Sequence, residues 1–407
     1  MAVKLGNGNW AVKENKLLAY NDNSGRFFNK EFDFSRGSSA TYVGKDGLIK
    51  SAASDVPRID FSDSTNGALL LEGQSTNLIP YSEDFSNGWA LDDATIVSNS
   101  ATSPDGALNA TLLKGNTNSS RHNLVTSGQA SNTGTFSIFV KAKELKYVQI
   151  ASANTVQQYV NFDLSNGIIG TVGSSFSNAK IENYGNGWYR CIVVSANQFN
   201  GFYFSLVNGL NATWLESWVM PNNTDGLYIY GFQLEQNSVA SSYIPSQGSA
   251  TTRLADVCNN SGSAQDFNSE EGVLYAEIAA LANDSYRFIS LSDGTNNNNV
   301  RLNLSPIANQ ISFEANSGGS LQLGYTNNNT NVLLNTKICI NFKLNDFSVW
   351  INGIKVHTDT NGIAPIGLNT LNFDRGTGTN LFYGNVKNIQ VFTEAKSDEF
   401  LAALTTI

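Results

Sequence analysis

Two histidines, 34 acidic residues, six tryptophans and three cysteines are the groups this 407-residue chain offers to chemistry. His122 and His357 are far apart, so a Ser-His-Asp triad or a histidine-rich metal centre is poorly supplied. No GxSxG, HExxH or phosphate-cradling glycine loop occurs. Glycoside hydrolysis needs only two carboxylates. On a strand, Glu-x-Asp-x-Glu would set three on one face. The nearest approach is Glu31-Phe-Asp33, with Ser35 in the third place. The expectation is a protein that is not an enzyme.

Sugar binding asks for other residues: an aromatic face to stack on a pyranose, and amides or carboxylates for its hydroxyls. Trp214 and Trp218 are spaced by four in Asn211-Ala-Thr-Trp-Leu-Glu-Ser-Trp218, just before a Pro-Asn-Asn turn. They could flank a groove or serve as core residues. Trp350 sits mid-hairpin and could point either way, whereas Trp188 in Gly187-Trp-Tyr-Arg190 reads as core. Cys191, Cys258 and Cys339 are widely spaced and odd in number, which argues against a disulfide framework or a zinc site. Cys191 and Cys339 lie in apolar runs and read as small core residues.

The elements that must position these groups are strands. Charged residues make up 14% of the chain and aromatics 11%, with 35 glycines and abundant Asn, Ser and Thr. That balance suits all-β domains joined by polar turns. The net charge of -9 opposes binding to a phosphate backbone, so no nucleic-acid partner is expected. No run approaches the ~20 apolar residues of a membrane helix, and the N-terminus lacks an apolar signal core. No membrane insertion is expected, and folding in a reducing cytoplasm fits.

Four segments follow from the patterning. Residues 1–77 hold short apolar patches broken by turns, too polar to build a core alone. They read as an attachment and oligomerisation region. Residues 78–250 contain alternating runs such as Gly134-Thr-Phe-Ser-Ile-Phe-Val-Lys141 and Leu227-Tyr-Ile-Tyr-Gly-Phe-Gln-Leu234, the mark of a two-sheet sandwich. Residues 251–267 read as a linker. Residues 268–407 form a second sandwich. It includes a hairpin turning at Asn352-Gly353 and a short helix capped by Ser397, with Asp398 and Glu399 in its first turn. The fold class is therefore all-β: a small N-terminal segment and two jelly-roll β-sandwiches.

An ordered series of phrases carries a resemblance. It begins Phe32-Asp-Phe-Ser-Arg-Gly-Ser-Ser-Ala-Thr-Tyr42, Val56-Pro-Arg-Ile-Asp-Phe61, Gly67-Ala-Leu-Leu-Leu-Glu72 and Ser75-Thr-Asn-Leu-Ile-Pro-Tyr-Ser-Glu-Asp-Phe85. It ends Tyr230-Gly-Phe-Gln-Leu-Glu235, Ser242-Tyr-Ile-Pro245 and Ala250-Thr-Thr-Arg-Leu-Ala-Asp256. The series resembles tailed-bacteriophage virion fibre and appendage proteins with lectin-like modules. Residues 78–250 resemble jelly-roll carbohydrate-binding modules, and 268–407 resemble concanavalin A-like, laminin-G-like domains.

The resemblance implies a head or tail fibre or spike on the virion surface, assembled in the bacterial host cytoplasm. It implies a homotrimer, contacts with other virion proteins through residues 1–77, and adhesion to host-surface or environmental glycans. It also implies calcium as an optional ligand, for which Asp284 and Asp293 lie in suitable loops. A purely structural role in decoration or assembly is the competing reading, and a polysaccharide-degrading enzyme a weaker one.

Overall fold

The computed structural model describes residues 3–13, 16–21, 26–131, 134–152, 158–174, 176–195 and 199–407. Strands dominate them, with one α-helix at Asp398–Thr405. The chain divides into two compact units. One gathers Met1–Lys45, Ala52–Gly73 and Leu254–Ile407, and the other Asp46–Ser51 and Gln74–Arg253.

The unit around residues 74–253 is a sandwich of two six-stranded sheets. One sheet runs in the order Ala90–Asp92, His122–Ser131, Phe199–Leu206, Tyr147–Ser152, Tyr159–Asp163 and Ile168–Val172. The other runs Ala94–Thr102, Leu108–Gly115, Gly226–Glu235, Gly134–Ala142, Trp188–Ser195 and Phe176–Asn183. Spatial neighbours far apart in sequence are the signature of a jelly roll. Side chains alternate across each strand. On Gly134–Ala142, Phe136, Ile138 and Val140 enter the core between the sheets, and Phe136 stacks on Phe202 of the other sheet with centroids 4.1 Å apart. Phe139 belongs to a second apolar cluster, with Ile49, Trp188, Tyr230 and Tyr243.

The alternation slips once, on Gly226–Glu235. Leu227 and Ile229 are core residues, and so are Phe232 and Leu234. The spacing from Ile229 to Phe232 requires an extra residue, and the ladder with Gly134–Ala142 shifts register there. Gly231 supplies it, at φ 62°, a conformation that glycine adopts without the penalty a side chain brings.

The other unit also has two sheets, one of twelve strands and one of five. The twelve-stranded sheet revises the reading of residues 1–77. Val3–Gly6 pairs along its length with Gly384–Phe392, from Val3 opposite Val391 to Gly6 opposite Asn388. Ala68–Leu71 pairs with the other end of the same strand. Val3, Leu5, Leu17, Phe32, Phe34, Leu69 and Leu71 are buried in one core with Leu274, Ile340, Val386 and Ile389. Residues 3–73 are thus largely woven into the C-terminal sandwich instead of forming a separate segment. Gly384–Phe392 would otherwise present unpaired N–H and C=O groups along one edge, and the early strands satisfy them.

The stretch 251–267 is likewise not a free linker. Thr251–Arg253 pairs with Ser75–Asn77, and Val257–Asn259 pairs with Arg26–Ser35. Between them Asp256 is 1% exposed, fixed by two buried arginines. Its Oδ2 accepts from Arg58 Nη2 at 2.5 Å and its Oδ1 from Arg36 Nη1 at 3.1 Å. Arg58 Nη1 donates to Glu72 Oε2 at 2.6 Å and to the Thr41 carbonyl at 2.9 Å, while Glu72 N donates to Asp256 Oδ2 at 2.8 Å. Arg36 Nη2 bonds the Ala53 and Val56 carbonyls. The cluster balances two cations with two carboxylates and draws its members from three phrases of the recognised series and its closing Asp256.

Local expectations about the C-terminal residues are met. The hairpin Phe347–Ile351/Ile354–Asp359 turns at Asn352 and Gly353, both at positive φ. Ser397 caps the helix by accepting from Phe400 N. The three cysteines are buried free thiols, and burial pushes each one up from its ordinary pKa.

Candidate functional site

The strand Gly226–Glu235 changes partner midway. Its first half pairs with Leu108–Gly115, from Gly226 opposite Lys114 to Ile229 opposite Thr111. Its second half is bonded by the segment after Ser75–Asn77: Leu78 N donates to the Leu234 carbonyl, and Phe232 N to the Ser82 carbonyl. The exchange falls at the Tyr230-Gly231 bulge. A cavity of about 590 Å³ has walls from both partners, with Asn109 and Thr111 on one side and Glu83, Asp84, Ser246 and Gln247 on the other. That volume lies within the ~300–1,000 Å³ of small-molecule sites. A second bulge, between Val97 and Ala101, brings Ser98 and Asn99 to its rim, with Asn99 at φ 55°.

Behind the walls is a fixed polar network. Tyr230 Oη lies 3.0 Å from Glu83 Oε1 and 3.0 Å from Asp105 Oδ2. Tyr243 Oη donates to the same Glu83 oxygen at 2.9 Å. Burial, with the charges of Glu83 and Asp105, pushes the Tyr230 phenol well up, so it remains a donor. Burial also pushes the Asp105 carboxyl up. Bonds from Ser103, Ala107, Asn109 and Tyr230 outweigh that and hold it below its ordinary value. A carboxylate with a lowered pKa keeps its stabilising bonds above the unfolded value and loses them only as pH falls through the lowered one. Asp105 is therefore ionised at neutral pH. The Tyr230 oxygen occupies the space between the two carboxylates, where a glycosidase would need a sugar oxygen or a water.

Asn109 joins this network to the cavity wall. Its Nδ2 donates to Asp105 Oδ2 at 3.1 Å, which fixes the amide orientation. Its Oδ1 is buried and has no hydrogen-bond partner. A buried acceptor without a donor is costly.

The residues singled out from sequence lie elsewhere. Trp350 is 5% exposed, packed with Val273, Tyr275, Cys339, Phe392 and Leu401 beneath the C-terminal helix. It is a core residue closed to sugar: its face of the strand is the one the helix covers. Trp218 packs at the edge of the central core and its Nε1 donates to the Leu206 carbonyl at 3.0 Å. Its ring meets His122 edge-on at 5.8 Å. Trp214 is half-buried, with Arg121 5.4 Å above its ring and Nε1 donating to the Ser152 carbonyl. The two rings thus have different partners, His122 for Trp218 and Arg121 for Trp214. Leu215, at φ 45°, breaks any regular repeat between them, so a spacing of four does not put both on one face. Trp218→Phe is expected to lower the stability of this unit by about 1 kcal/mol, the worth of the lost hydrogen bond, and to leave sugar binding unchanged. Urea denaturation followed by intrinsic fluorescence measures the first, and titration calorimetry the second.

The remaining candidates are tied up locally. Asp284 is bonded to Arg287, and Asp293 to Thr295 and Asn298. Among the described residues no three His, Cys, Asp or Glu side chains gather where they could hold a metal ion. Glu31 and Asp33 face Lys16. His357 stacks on Tyr325 with centroids 4.6 Å apart.

The cavity residues were hidden in plain phrases. Glu83 and Asp84 stand in Tyr81-Ser-Glu-Asp-Phe85, and Gln247 follows Tyr243-Ile-Pro-Ser246. The one signal that could have found them is the slipped spacing around Gly231.

This architecture defines a protein of two β-sandwiches. No protein-family model matches the chain, and no curated protein matches it in sequence. Among solved structures, the Ruminococcus gnavus IT-sialidase CBM40 aligns over 37% of this chain and 94% of its own, at 16% identity and a TM-score of 0.30. Domains LG4-5 of the mouse laminin alpha1 chain align over 81% of this chain and 94% of theirs, at 7% identity and a TM-score of 0.24. Trypanosoma rangeli sialidase aligns over 99% of this chain and 83% of its own, at 9% identity and a TM-score of 0.28. Likeness at these scores says nothing of what this chain binds.

Proposed function

We propose that this chain is a glycan-binding appendage protein of a bacteriophage particle, binding sugar without turning it over. The cavity beside Tyr230-Gly231 carries the proposal: it is pocket-sized and lined by the carboxylate, amide and hydroxyl side chains that sugar hydroxyls bond. The ordered phrases from Phe32 to Asp256 support the virion assignment, and with it display on the particle surface and a homotrimer that strengthens weak binding by multivalency. A free N-terminal anchor is no part of the proposal, because Val3–Gly6 and Ala68–Leu71 are bonded strands of a sheet. Among the described residues no helix is long and apolar enough to cross a membrane.

A structural role in assembly has one observation in its favour. Leu321, Leu344, Ile354, Ile363 and Ile366 of the C-terminal unit are all exposed. Leu344 and Ile363 adjoin the mutually bonded Asn345 and Gly362, and Ile363 N donates to Gln322, next to Leu321.

A glycan array probed with the purified chain tests the main reading. Binding to a defined set of sugars is expected, weakened at least about tenfold by Asn109→Ala, with an unchanged circular-dichroism spectrum. An empty array, or binding that ignores Asn109→Ala and Gln247→Ala, would sink it.

A further inference from the structure

We infer that the cavity is selective for sugars rich in hydrogen-bond donors and free of negative charge, and that a free amino sugar binds it better than the N-acetylated form. The inference rests on the glycan-binding reading above. Its basis is a one-sided supply of charge. Glu83 and Asp84 line the cavity, Asp105 stands directly behind Asn109, and no Lys, Arg or His is among the lining residues. Asn109 gives one N–H of its amide to the Asp105 carboxylate, which draws that negative charge up against the cavity wall. Asp105 remains charged, as its hydrogen bonds require.

Carboxylates with no cation beside them match donors on the ligand. Pyranose hydroxyls donate to carboxylates and amides, and an ammonium group donates three times and carries the complementary charge. A sugar carboxylate, as in sialic or uronic acids, has no cation to meet and would lie against like charge in a partly desolvated recess. N-acetylation removes the positive charge and adds bulk, so it forfeits the attraction.

The test is titration calorimetry of the full chain with three probes at one ionic strength: a glucosamine oligomer, the corresponding N-acetylglucosamine oligomer, and 3′-sialyllactose. The expected order is glucosamine first, N-acetylglucosamine about tenfold weaker, and sialyllactose at or below detection. The glucosamine affinity should fall as salt rises, whereas the neutral sugar should be insensitive to it. Glu83→Gln, which keeps an acceptor for Tyr230 and Tyr243 while removing the charge, should narrow the gap between the first two probes. Sialyllactose binding as tightly as the others, or a glucosamine preference untouched by salt and by Glu83→Gln, would overturn this inference and leave the glycan-binding reading standing. No binding by any probe, together with an empty array, would remove both.

Discussion

Asp256→Ala is expected to destabilise the unit formed by residues 1–45, 52–73 and 254–407 by about 3–5 kcal/mol, the cost of breaking a buried ion pair. The side chain is 1% exposed and bonds Arg36 and Arg58, themselves 1% and 0% exposed. Its removal takes a carboxylate from two buried guanidinium groups, leaving Glu72 and the Thr41 carbonyl beside Arg58 and the Ala53 and Val56 carbonyls beside Arg36. It also removes the acceptor of the Glu72 amide. Neither arginine can lose its proton to escape, since guanidinium stays charged under all ordinary conditions. Asp256→Asn should cost less than alanine because it keeps acceptor geometry on one side, yet more than a surface change because the charge is lost. Guanidinium denaturation curves for the wild type and both variants measure this. An alanine variant within about 1 kcal/mol of wild type would show that water enters and solvates the arginines, as at an exposed pair.

Gly231→Val should be nearly as severe, and it acts on the other unit. At φ 62° a β-branched residue is strained by about 1–3 kcal/mol. A Cβ there would lie 2.9 Å from Phe139 Cδ2 and 3.1 Å from Tyr243 Cζ, inside a packed aromatic cluster. Overpacking of that kind adds about 1–3 kcal/mol. The strand can relieve both by expelling the bulge, but Phe232 and Leu234 then lose their place in the core. Sugar binding should therefore disappear along with stability, because the bulge sets Tyr230 against Glu83 and Asp105. Thermal unfolding and calorimetric titration of the same sample separate the two effects. Gly231→Ala should share the direction with a smaller loss. A valine variant that melts like wild type would show that the bulge is not needed for the fold.

Much of the fold was legible because its signals are local. Alternation in Gly134–Ala142 sorts Phe136 from Phe139 without help from any other segment, since successive side chains on a strand point to opposite faces. Asn352-Gly353 specifies its turn through the positive φ both residues tolerate, and Ser397 its cap through one side-chain oxygen. The recognised phrases were legible as a series, but their role was not. Asn77 bonds four backbone groups, at Phe232, Ile244, Ile79 and Leu234. Glu235 is wholly buried, accepting from Ser75, Gln233 and Ser241. Such residues hold distant segments together, and nothing next to them in sequence names the partner.

The sequence by itself determined an all-β protein of two sandwiches, an acidic surface, and the absence of the motifs on which common catalytic centres depend. Those properties depend on residue type and short-range spacing. Only the tertiary structure decided that residues 3–6 and 68–71 pair with 384–392, that Trp350 lies under a helix, and that Asn109, Glu83 and Gln247 share one cavity. A strand's hydrogen-bonding edge is made of backbone groups identical in every residue. Its partner is therefore chosen by the packing of the whole core, and the sites that such pairings create are invisible until the core is assembled.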